Sequence, residues 1–345
     1  MNYHDKQHYV PQSYLRNFSP DLEEYMKIRE NLDGKQKRKY KARMKIHFYD
    51  LDTDSIGYGN IDSLAKVDHY LFPAVDEIVR KTESKLSLLR EIISNQSEDF
   101  LYENDNQNTL WEIANCLVAK SIWFREFTEL YNLRTTGNMV DNDGNALGSI
   151  TFTKESAEFF QTMFFTDNPE ILYPMMLKSM RIKMPLENID GTFEQIFEQK
   201  NIEKTPYGPN PTIFPIQTII PRPIYPCLIF NQTEFPLITG DACVPKTEFV
   251  LPDKKTRVPV YHFPLNSDLA IIFVEENEHR EYIPRKITYR WDTFVWNRLM
   301  YNCSTHYLFC GKPYQLGTVT SYPKDPVDLD RIIRTTQVDR DKEEN

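Results

Sequence analysis

The feature that most constrains the fold is a proline-dense stretch in the second half of the chain. Residues 206–226 read PYGPNPTIFPIQTIIPRPIYP and contain seven prolines in twenty-one positions. Proline has no backbone N–H and its ring clashes with the preceding helical turn, so no helix can run through this density of prolines. The stretch predicts an extended connector between the part of the chain before it and the part after it.

The residues before the connector have the periodicity of helices. Apolar residues recur at helical spacing over 70–95 and again over 108–133. The turn residues of 137–149 indicate a loop or a small hairpin. Shorter helices are predicted at about 153–166, 168–180 and 191–203. We therefore interpret residues 70–205 as a helical middle region.

The residues after the connector have the character of strands. A helix is predicted over 290–305. Strands are predicted at 226–231, 235–240, 258–265, 269–275 and 305–310, and one more near the N-terminus at 45–55. Pro236, Pro259 and Pro264 lack the N–H that an interior strand needs, so several of these strands are expected at sheet edges.

The order of strand, helix and strand segments indicates an α+β fold. A mixed or antiparallel sheet built from the N- and C-terminal thirds would pack against the helical middle region. We predict a single domain over residues 1–322, with a β-rich C-terminal part at 226–322, and a charged, disordered tail at 323–345. The weaker alternative is two domains divided near residue 205.

Hydropathy and cysteine content limit the cellular setting. The chain of 345 residues has no run of about 18 apolar residues, so no membrane-spanning helix is expected. Its first residues, MNYHDKQHYV, lack the apolar core of a signal peptide. The five cysteines are scattered and include no CxxC pair, which argues against a disulfide framework or a cysteine zinc site. A cytoplasmic location is expected, and the oligomeric state is left open.

One basic run stands out from the net charge of −9. Residues 35–45, KQKRKYKARMK, carry seven basic side chains in eleven positions. Such runs are usually solvated loops, and that is the main interpretation. The alternative is that Lys37, Arg38 and Lys39 bind the backbone of a nucleic acid. The acidic net charge argues against indiscriminate binding of nucleic acid.

The common catalytic motifs are absent, which turns attention to the N-terminal stretch HYVPQSYLRNFS at residues 8–19. The chain has no GxxxxGK[ST], GxGxxG, GxSxG or HExxH pattern, so a P-loop nucleotidase, a Rossmann dehydrogenase, an α/β-hydrolase and a zincin are disfavoured. His8 suits proton transfer or metal ligation near neutral pH, and Gln12 and Tyr14 are placed to bond around it. From these residues alone the main interpretation is structural: Tyr9, Val10, Leu15 and Phe18 fill a core, and His8 bonds a backbone carbonyl.

Four further residues are candidates for the same site. Asp241 follows a strand and a glycine, and either presents its carboxylate at a sheet edge or closes an Asx-turn. Glu83 and Arg125 each fall at the edge of an apolar helical face, where an ion pair between helices is the main interpretation and phosphate binding the other. Asn297 interrupts an apolar helix, where a buried amide more often ties elements together than binds substrate.

These residues carry a resemblance to a known family. HYVPQSYLRNFS is similar to the N-terminal signature of the bacterial family called domain of unknown function 4238, which opens His-(His/Tyr)-Val-Pro-x-x-Tyr-Leu-x-x-Phe. IHFYDLDT, DHYLFPAVDEIVRKTESKL and FPLITGDACV resemble later segments of that family in the same order. The chain departs from the family pattern at Gly240, where the family has serine, and near Arg125. The polar positions that match are His8, Tyr14, Glu83, Asp241 and Asn297.

Two classes of function fit these features. The first is a phosphodiester-cleaving, nuclease-like effector of the kind that bacteria use against phages. His8 would be general base or metal ligand, and Asp241 and Glu83 would be metal ligands or acid–base partners, with a divalent metal as the cofactor that this hypothesis admits. The substrate would be held by Gln12, Tyr14, Arg125, Asn297, Lys37, Arg38 and Lys39. The second is a non-catalytic sensor or binding module whose polar cluster recognises a ligand or a protein partner.

Overall fold

The described part of the chain joins strands from its two ends in one sheet and carries a second sheet within its C-terminal part. The computed structural model describes residues 6–68, 79–103, 105–118, 120, 136–140, 146–151, 224–251 and 256–321. Most of the predicted helical middle region and connector, and the whole of the predicted tail, lie outside these ranges. The prediction of one domain over residues 1–322 therefore stays a prediction.

Short elements make up the N-terminal part. They are β1 (Lys6–His8), α1 (Gln12–Leu15), α2 (Leu22–Ile28), α3 (Gly34–Lys41), β2 (Lys45–Asp50), β3 (Ser55–Asn60), β4 (Lys66–Asp68), α4 (Ser87–Asn95) and α5 (Asn106–Val118). Residues 79–83 are also helical and lead through a 3-10 turn at Ser84–Leu86 into α4. A hairpin follows, formed by β5 (Thr136–Val140) and β6 (Ala146–Thr151), as predicted for 137–149.

Longer strands and a long helix make up the C-terminal part. They are β7 (Tyr225–Asn231), β8 (Thr239–Gly240), β9 (Lys246–Val250), β10 (Arg257–Pro264), β11 (Leu269–Val274), β12 (Lys286–Ile287), α6 (Arg290–Cys303), β13 (Tyr307–Cys310) and α7 (Pro313–Thr320). A 3-10 helix at Asn277–Tyr282 connects β11 to β12.

One four-stranded sheet unites the two ends of the chain. Its order is β3-β2-β13-β8, and every neighbouring pair is antiparallel. The N-terminal hairpin of β2 and β3 is thus extended by two strands that lie more than 170 residues later in the sequence. This confirms the predicted α+β class with a sheet drawn from both ends of the chain.

The second sheet separates two apolar layers. Its order is β12-β7-β11-β10-β9, antiparallel except for the parallel pair of β12 and β7. All six residues of β11 are buried, because both faces of this central strand are covered. Side chains alternate along a strand, so Ile271 and Phe273 face the main core while Ile272 and Val274 face the second layer.

The main core contains the N-terminal stretch itself. Tyr9, Val10, Leu15 and Phe18 are each at most 2% exposed and pack with α4, α5 and one face of the second sheet. The second layer holds the other face of that sheet against Trp296 of α6. A third cluster lies between the four-stranded sheet and helices α6 and α7. The apolar residues of the opening stretch therefore fill a core, as one of the two interpretations predicted.

The prolines of β10 do not place it at a sheet edge. β8 is an edge strand as predicted, but β10 lies between β11 and β9, and the edge prediction for it is wrong. Successive N–H groups point to opposite sides of a strand, and His262 N donates towards β9. Pro259 then faces β11, whose ladder begins only at Val260, and Pro264 faces β9 beyond the ladder's last pair at Tyr261. Neither proline removes a ladder hydrogen bond.

The basic run forms a helix, and the expectation of a solvated loop is wrong for most of it. α3 begins with a capping box, in which the Asp33 carboxylate accepts from the backbone N–H of Lys35 and Gln36 while the Gln36 side chain accepts from Asp33 N. Three basic residues, Arg38, Lys39 and Lys41, stand in the last turn, where positive charge is favourable against the helix dipole.

Within the described ranges, no helix is long and apolar enough to cross a membrane.

Candidate functional site

Backbone pairing fixes His8 at the end of the first strand. His8 is paired with Lys66 across β1 and β4, and Tyr9 N donates to Ala65 O at 3.0 Å. Pro11 precedes α1, and its carbonyl accepts from Tyr14 N and Leu15 N in the first turn of that helix. His8 therefore lies half-buried at the end of β1, four residues before Gln12 at the start of α1.

A chain of side-chain hydrogen bonds fixes the tautomer of His8. Arg16 Nη2 donates to Gln12 Oε1 at 2.6 Å and to Asp62 Oδ1 at 3.1 Å. Because arginine can only donate, the amide oxygen of Gln12 faces Arg16 and its Nε2 donates to His8 Nε2 at 2.5 Å. The proton of the neutral ring is then on Nδ1, which donates to Leu64 O at 3.0 Å. His8 presents Nε2 as an acceptor.

Burial and neighbouring cations keep His8 neutral. Burial is the largest cause that lowers the pKa of His8. Lys66, Lys120 and Arg16 also lower it and the Leu64 carbonyl raises it, so that the pKa is about 4. The imidazole is therefore uncharged at neutral pH. It lies among three positive charges, of which Arg16 is paired with Asp62 and Lys120 with Glu83.

Glu83 reaches the neighbourhood of His8 through a lysine that the sequence analysis did not place in the site. Lys120 Nζ lies 2.5 Å from Glu83 Oε1, and Lys120 is only 2% exposed. Burial raises the pKa of the Cys116 thiol to about 12, and Lys120 acts in the opposite direction on this group and on Cys243. Lys120 thus lies among α5, Glu83, His8 and the segment after β8.

The signal for Lys120 was present in the sequence. It continues the apolar face of α5, four residues after Cys116 and three after Leu117, both of which are buried. A lysine in such a position requires a counter-charge or a ligand. Arg125, which was predicted to pair with Glu83, lies outside the described residues.

Asp241 is bound to the turn that precedes β13. Its Oδ1 accepts from Thr305 N at 2.9 Å, and its Oδ2 accepts from His306 N at 2.7 Å and Thr305 Oγ1 at 3.0 Å. Tyr307 N adds a longer contact at 3.4 Å. The side chain is buried, and within the described residues its hydrogen bonds all go to this turn rather than to His8 or Glu83. Both carboxylate oxygens hold the junction of β8 and β13.

Tyr14 and Asn297 likewise tie distant segments together. The Tyr14 hydroxyl is bonded to Thr239 Oγ1 and to Pro264 O, each at 2.8 Å, which joins α1 to β8 and β10. Asn297 Oδ1 accepts from Ile238 N at 3.0 Å, and its Nδ2 donates to Pro236 O at 3.0 Å. The main interpretation of Asn297 as a buried amide that ties elements together is what these contacts describe.

The three basic residues predicted to bind substrate lie on different sides of α3. Lys37 is half-buried, on the side of the helix that faces the protein. Arg38 and Lys39 are exposed, and Arg38 Nε donates to Gly34 O at 3.3 Å within the same helix. The described residues contain one group of three side chains that could hold a metal ion together, in the 3-10 helix before β12, and it includes no predicted site residue: Glu276, Glu278 and His279.

Comparison with known proteins bears on the whole of this arrangement. A family model described as "Protein of unknown function (DUF4238)" matches residues 6–312. The chain belongs to this family. No curated protein and no solved structure matches the chain. The match confirms the resemblance seen in HYVPQSYLRNFS, and it spans every described element from β1 to β13.

The departure of this DUF4238 chain at Gly240 has a structural reason. A Cβ atom built on Gly240 would lie 2.0 Å from Ser304 Oγ and 3.1 Å from Tyr307 O. The side chain of Ser304 therefore fills the space that a serine at position 240 would need. Gly240 and Ser304 flank the Asp241 turn contacts, so the two positions form one packing unit beside that carboxylate.

The chemistry that the DUF4238 site can support follows from its charges. A neutral imidazole can take a proton on Nε2 once the Gln12 amide that is bonded to it moves away. Positive groups around it favour an anion over a metal cation. The combination of His8, Lys120, Lys66 and Arg16 is suited to an anionic ligand whose neighbouring hydroxyl or water loses a proton.

Proposed function

We propose that this DUF4238 chain acts on the phosphodiester bonds of nucleic acid, with His8 as the general base. One observation carries the proposal: a histidine held neutral, with Nε2 as acceptor, among the cations Lys66, Lys120 and Arg16. A phosphate diester is an anion, and its hydrolysis needs both a base and positive charge near the phosphorus.

Substrate binding would itself make His8 a better base. A phosphate placed among the three cations offsets their effect on the imidazole and raises the pKa of His8 from about 4 towards neutral pH. Gln12 would release Nε2, which takes the proton of the attacking hydroxyl or water. The new oxygen–phosphorus bond forms as the bond to the leaving oxygen breaks, and the leaving oxygen takes a proton from water.

The other predicted residues are assigned to positioning in this proposal. Glu83 orients the buried ammonium group of Lys120 through the 2.5 Å contact, and Lys120 stabilises the negative charge that develops on the phosphoryl oxygens. Asp241, Tyr14 and Asn297 hold the segments around the site together. The excess of positive charge at His8 disfavours a divalent metal there, so we propose cleavage without one.

The setting that we propose is the bacterial cytoplasm, with phage defence as the biological role. All five cysteines are free and four of them are buried, which suits a reducing compartment. Plating of phage on cells that express the chain tests the role. The efficiency of plating is expected to fall with the native chain and to recover with a His8 variant.

The test of the activity uses a conservative variant of His8. In His8→Asn the amide Nδ2 can still donate to Leu64 O, as His8 Nδ1 does, while the basic Nε2 is lost. Single-stranded RNA and DNA are incubated with the purified chain in EDTA and, separately, with Mg²⁺ or Mn²⁺. We expect cleavage in EDTA, a loss of about 10²- to 10⁴-fold in kcat/KM for His8→Asn, and no loss for His47→Asn, a half-buried histidine of β2.

The enzymatic proposal is overturned if no condition gives cleavage, or if His8→Asn cleaves as fast as the native chain. A non-catalytic binding module is the second candidate, and one observation favours it. Both ring nitrogens of His8 and both carboxylate oxygens of Asp241 are already engaged within the protein. In that case the same oligonucleotides would bind without being cleaved.

A further inference from the structure

Helix α3 presents two different basic faces. Lys37, Tyr40 and Lys41, at positions i, i+3 and i+4, are half-buried and form the face turned towards the protein. Lys35, Arg38 and Lys39 are exposed on the other side. The basic run is therefore not one uniform patch, and only part of it lies against other elements.

Two tyrosines pack against each other at the half-buried face of α3. Tyr25 of α2 is 4% exposed, and its ring centroid lies 5.3 Å from that of Tyr40. Lys41 Nζ stands 5.8 Å above the centre of the Tyr25 ring, which is within the range of a cation–π contact. Lys41 is thus held at a defined position above an aromatic surface.

Two arginines from other elements join Lys37 and Lys41. Burial is the largest cause that lowers the pKa of Lys41, and Arg90, Arg16, Arg29 and Lys37 also lower it, so these cations are close enough to act on its ammonium group. Burial also lowers the pKa of Arg90, as does Arg29. Within the described ranges, neither Lys41 nor Arg90 forms an ion pair with a carboxylate. We name Arg29, Lys37, Lys41 and Arg90 the inner basic face.

Asp21 and Glu24 lie near Tyr40, but within the described ranges neither forms an ion pair with these four cations, so the arrangement is unfavourable without a further counter-charge. Half-buried like charges repel one another more strongly than exposed ones, because water and salt screen them less. An anion bound among them would remove this repulsion and replace it with attraction. A fold that gathers four such cations from α3, α4 and the 3-10 turn after α2 is suited to hold an anionic group at that point.

Arg16 connects the inner basic face to the His8 site. It lowers the pKa of His8 on one side and that of Lys41 on the other, and it forms the Asp62 ion pair between them. Cations therefore follow one another from Lys120 through Arg16 to Lys37, with Glu83 and Asp62 paired to the first two. One phosphate cannot occupy both ends of this surface, whereas a chain of phosphates can.

We infer that the inner basic face is a second phosphate-binding site, beside the His8 site, which selects nucleic-acid strands over mononucleotides. The inference rests on the proposed function, because it assigns the strand bound there to the same substrate that reaches His8. Arg29, Lys41 and Arg90 are new to this role, while Arg38 and Lys39 lie on the outer side of α3.

The test compares two pairs of charge removals within one basic run. Lys37→Gln/Lys41→Gln removes two cations of the inner basic face, and Lys35→Gln/Arg43→Gln removes two exposed cations. Fluorescence anisotropy gives the affinity for a mononucleotide and for a single strand of about twelve nucleotides over a series of salt concentrations. We call these double variants the inner pair and the outer pair. A single strand releases roughly 0.7 counterion per phosphate contact, so the slope of log K against log salt is expected to be about 1.4 smaller in magnitude for the inner pair than for the native chain.

The expected pattern separates this inference from the proposed cleavage. The inner pair should lose about tenfold or more in affinity for the strand and keep its affinity for the mononucleotide, and the outer pair should stay within threefold. Equal losses for both pairs, or no loss for the inner pair, would overturn the inference even if the native chain cleaves. A selective loss for the inner pair with no cleavage by any chain would remove the enzymatic proposal and leave the strand-binding site standing.

Circular dichroism and the unfolding midpoint of both double variants control for folding. Lys41 packs on Tyr25, so Lys37→Gln/Lys41→Gln could disturb the fold. If either quantity changes in that double variant, Arg90→Gln is used instead, because it removes one cation of the same face from α4. The inference then predicts a slope lowered by about 0.7. An unchanged slope in a folded Arg90→Gln chain would contradict it.

Discussion

At the scale of single residues, buried polar side chains join segments that are far apart in the sequence. Tyr14 bonds residues of β8 and β10, Asn297 bonds the segment before β8, and Asp241 bonds the turn before β13. Each of these groups would be costly to bury alone and is satisfied by several partners. They hold the frame in which His8 and Lys120 lie.

Replacing Asp241 with alanine should lower the free energy of unfolding by about 3 kcal/mol, because several donors of the 305–307 turn lose a charged acceptor. Thr305→Val removes only the hydroxyl contact and should cost about 1 kcal/mol. Urea unfolding followed by circular dichroism measures both. A loss below about 1 kcal/mol for Asp241→Ala would show that the turn does not depend on this carboxylate.

His262 should make stability depend on pH. It is 1% exposed, its ring centroid lies 4.7 Å from that of Trp296, and neither ring nitrogen is bonded to a described residue. Burial lowers its pKa to about 3. The unfolded imidazole, with the ordinary value of 6.5, takes up a proton as the pH falls below that value, whereas the folded one does not. Its contribution to stability is therefore complete above pH 6.5 and is lost as the pH falls towards 3.

The variant His262→Phe isolates this effect. It keeps an aromatic ring against Trp296 and removes the titrating group. Between about pH 6 and pH 4 the native chain should lose about 1.4 kcal/mol per pH unit more than the variant does. Urea unfolding at several pH values gives the two curves, and parallel curves would contradict the assignment.

At the scale of elements, strong patterns were predicted well and short elements were not. The strand predicted at 258–265 is Arg257–Pro264, and the helix predicted at 290–305 is Arg290–Cys303. The strand predicted at 235–240 is only Thr239–Gly240, because the side chain of Asn297 takes the backbone groups of residues 236 and 238 that a neighbouring strand would use. The sequence of residues 235–240 cannot show that a distant side chain, rather than a neighbouring strand, will bond these backbone groups.

The strand β3 was missed because glycine is a poor strand former. A Cβ at Gly57 would lie 2.3 Å from Phe48 Cζ, so a larger residue there would force the Phe48 ring to move. Gly57→Ala should therefore destabilise the β2–β3 hairpin by about 1–3 kcal/mol through overpacking. Gly34→Ala at the start of α3 meets nothing within 4 Å and should be neutral or slightly stabilising. Thermal unfolding of both variants checks the contrast, and equal effects would contradict it.

The candidate site was predicted only in part, for a related reason. The sequence singled out His8 and Glu83, and the family resemblance grouped them. Lys120 and Arg90 were missed, because a lone cation on a helix gains its meaning from partners in other elements. Lys120 is part of the site because it pairs with Glu83 and acts on His8. Arg90 is part of the inner basic face because it lies near Arg29 and Lys41.

At the scale of the whole molecule, the N-terminal stretch and the C-terminal sheets share one core. Val10 and Phe18 belong to the same apolar cluster as Tyr261 and Phe273, so neither part can bury its surface alone. A single domain over residues 1–322 stays a prediction, and this shared core makes it testable by unfolding. The tryptophans offer probes of two layers, with Trp111 packed on the main core and Trp296 on the second layer.

Unfolding should accordingly be cooperative across both layers. Fluorescence of Trp111→Phe and of Trp296→Phe chains, each compared with circular dichroism of the same chain, should give coincident urea transitions within each variant. The physical reason is that loss of the second sheet exposes the core beneath the N-terminal stretch. Transitions with separate midpoints in one chain would indicate two independently folding parts.

The central claim is that His8 is a neutral acceptor inside a cationic site for phosphate, and nitrogen NMR of the histidine ring tests it most directly. His8→Asn supplies the assignment of the signal. We predict an Nδ1–H tautomer with a pKa of about 4, which rises when a single-stranded oligonucleotide is added. An Nε2–H tautomer, or a pKa near 6.5 that the oligonucleotide leaves unchanged, would contradict the claim.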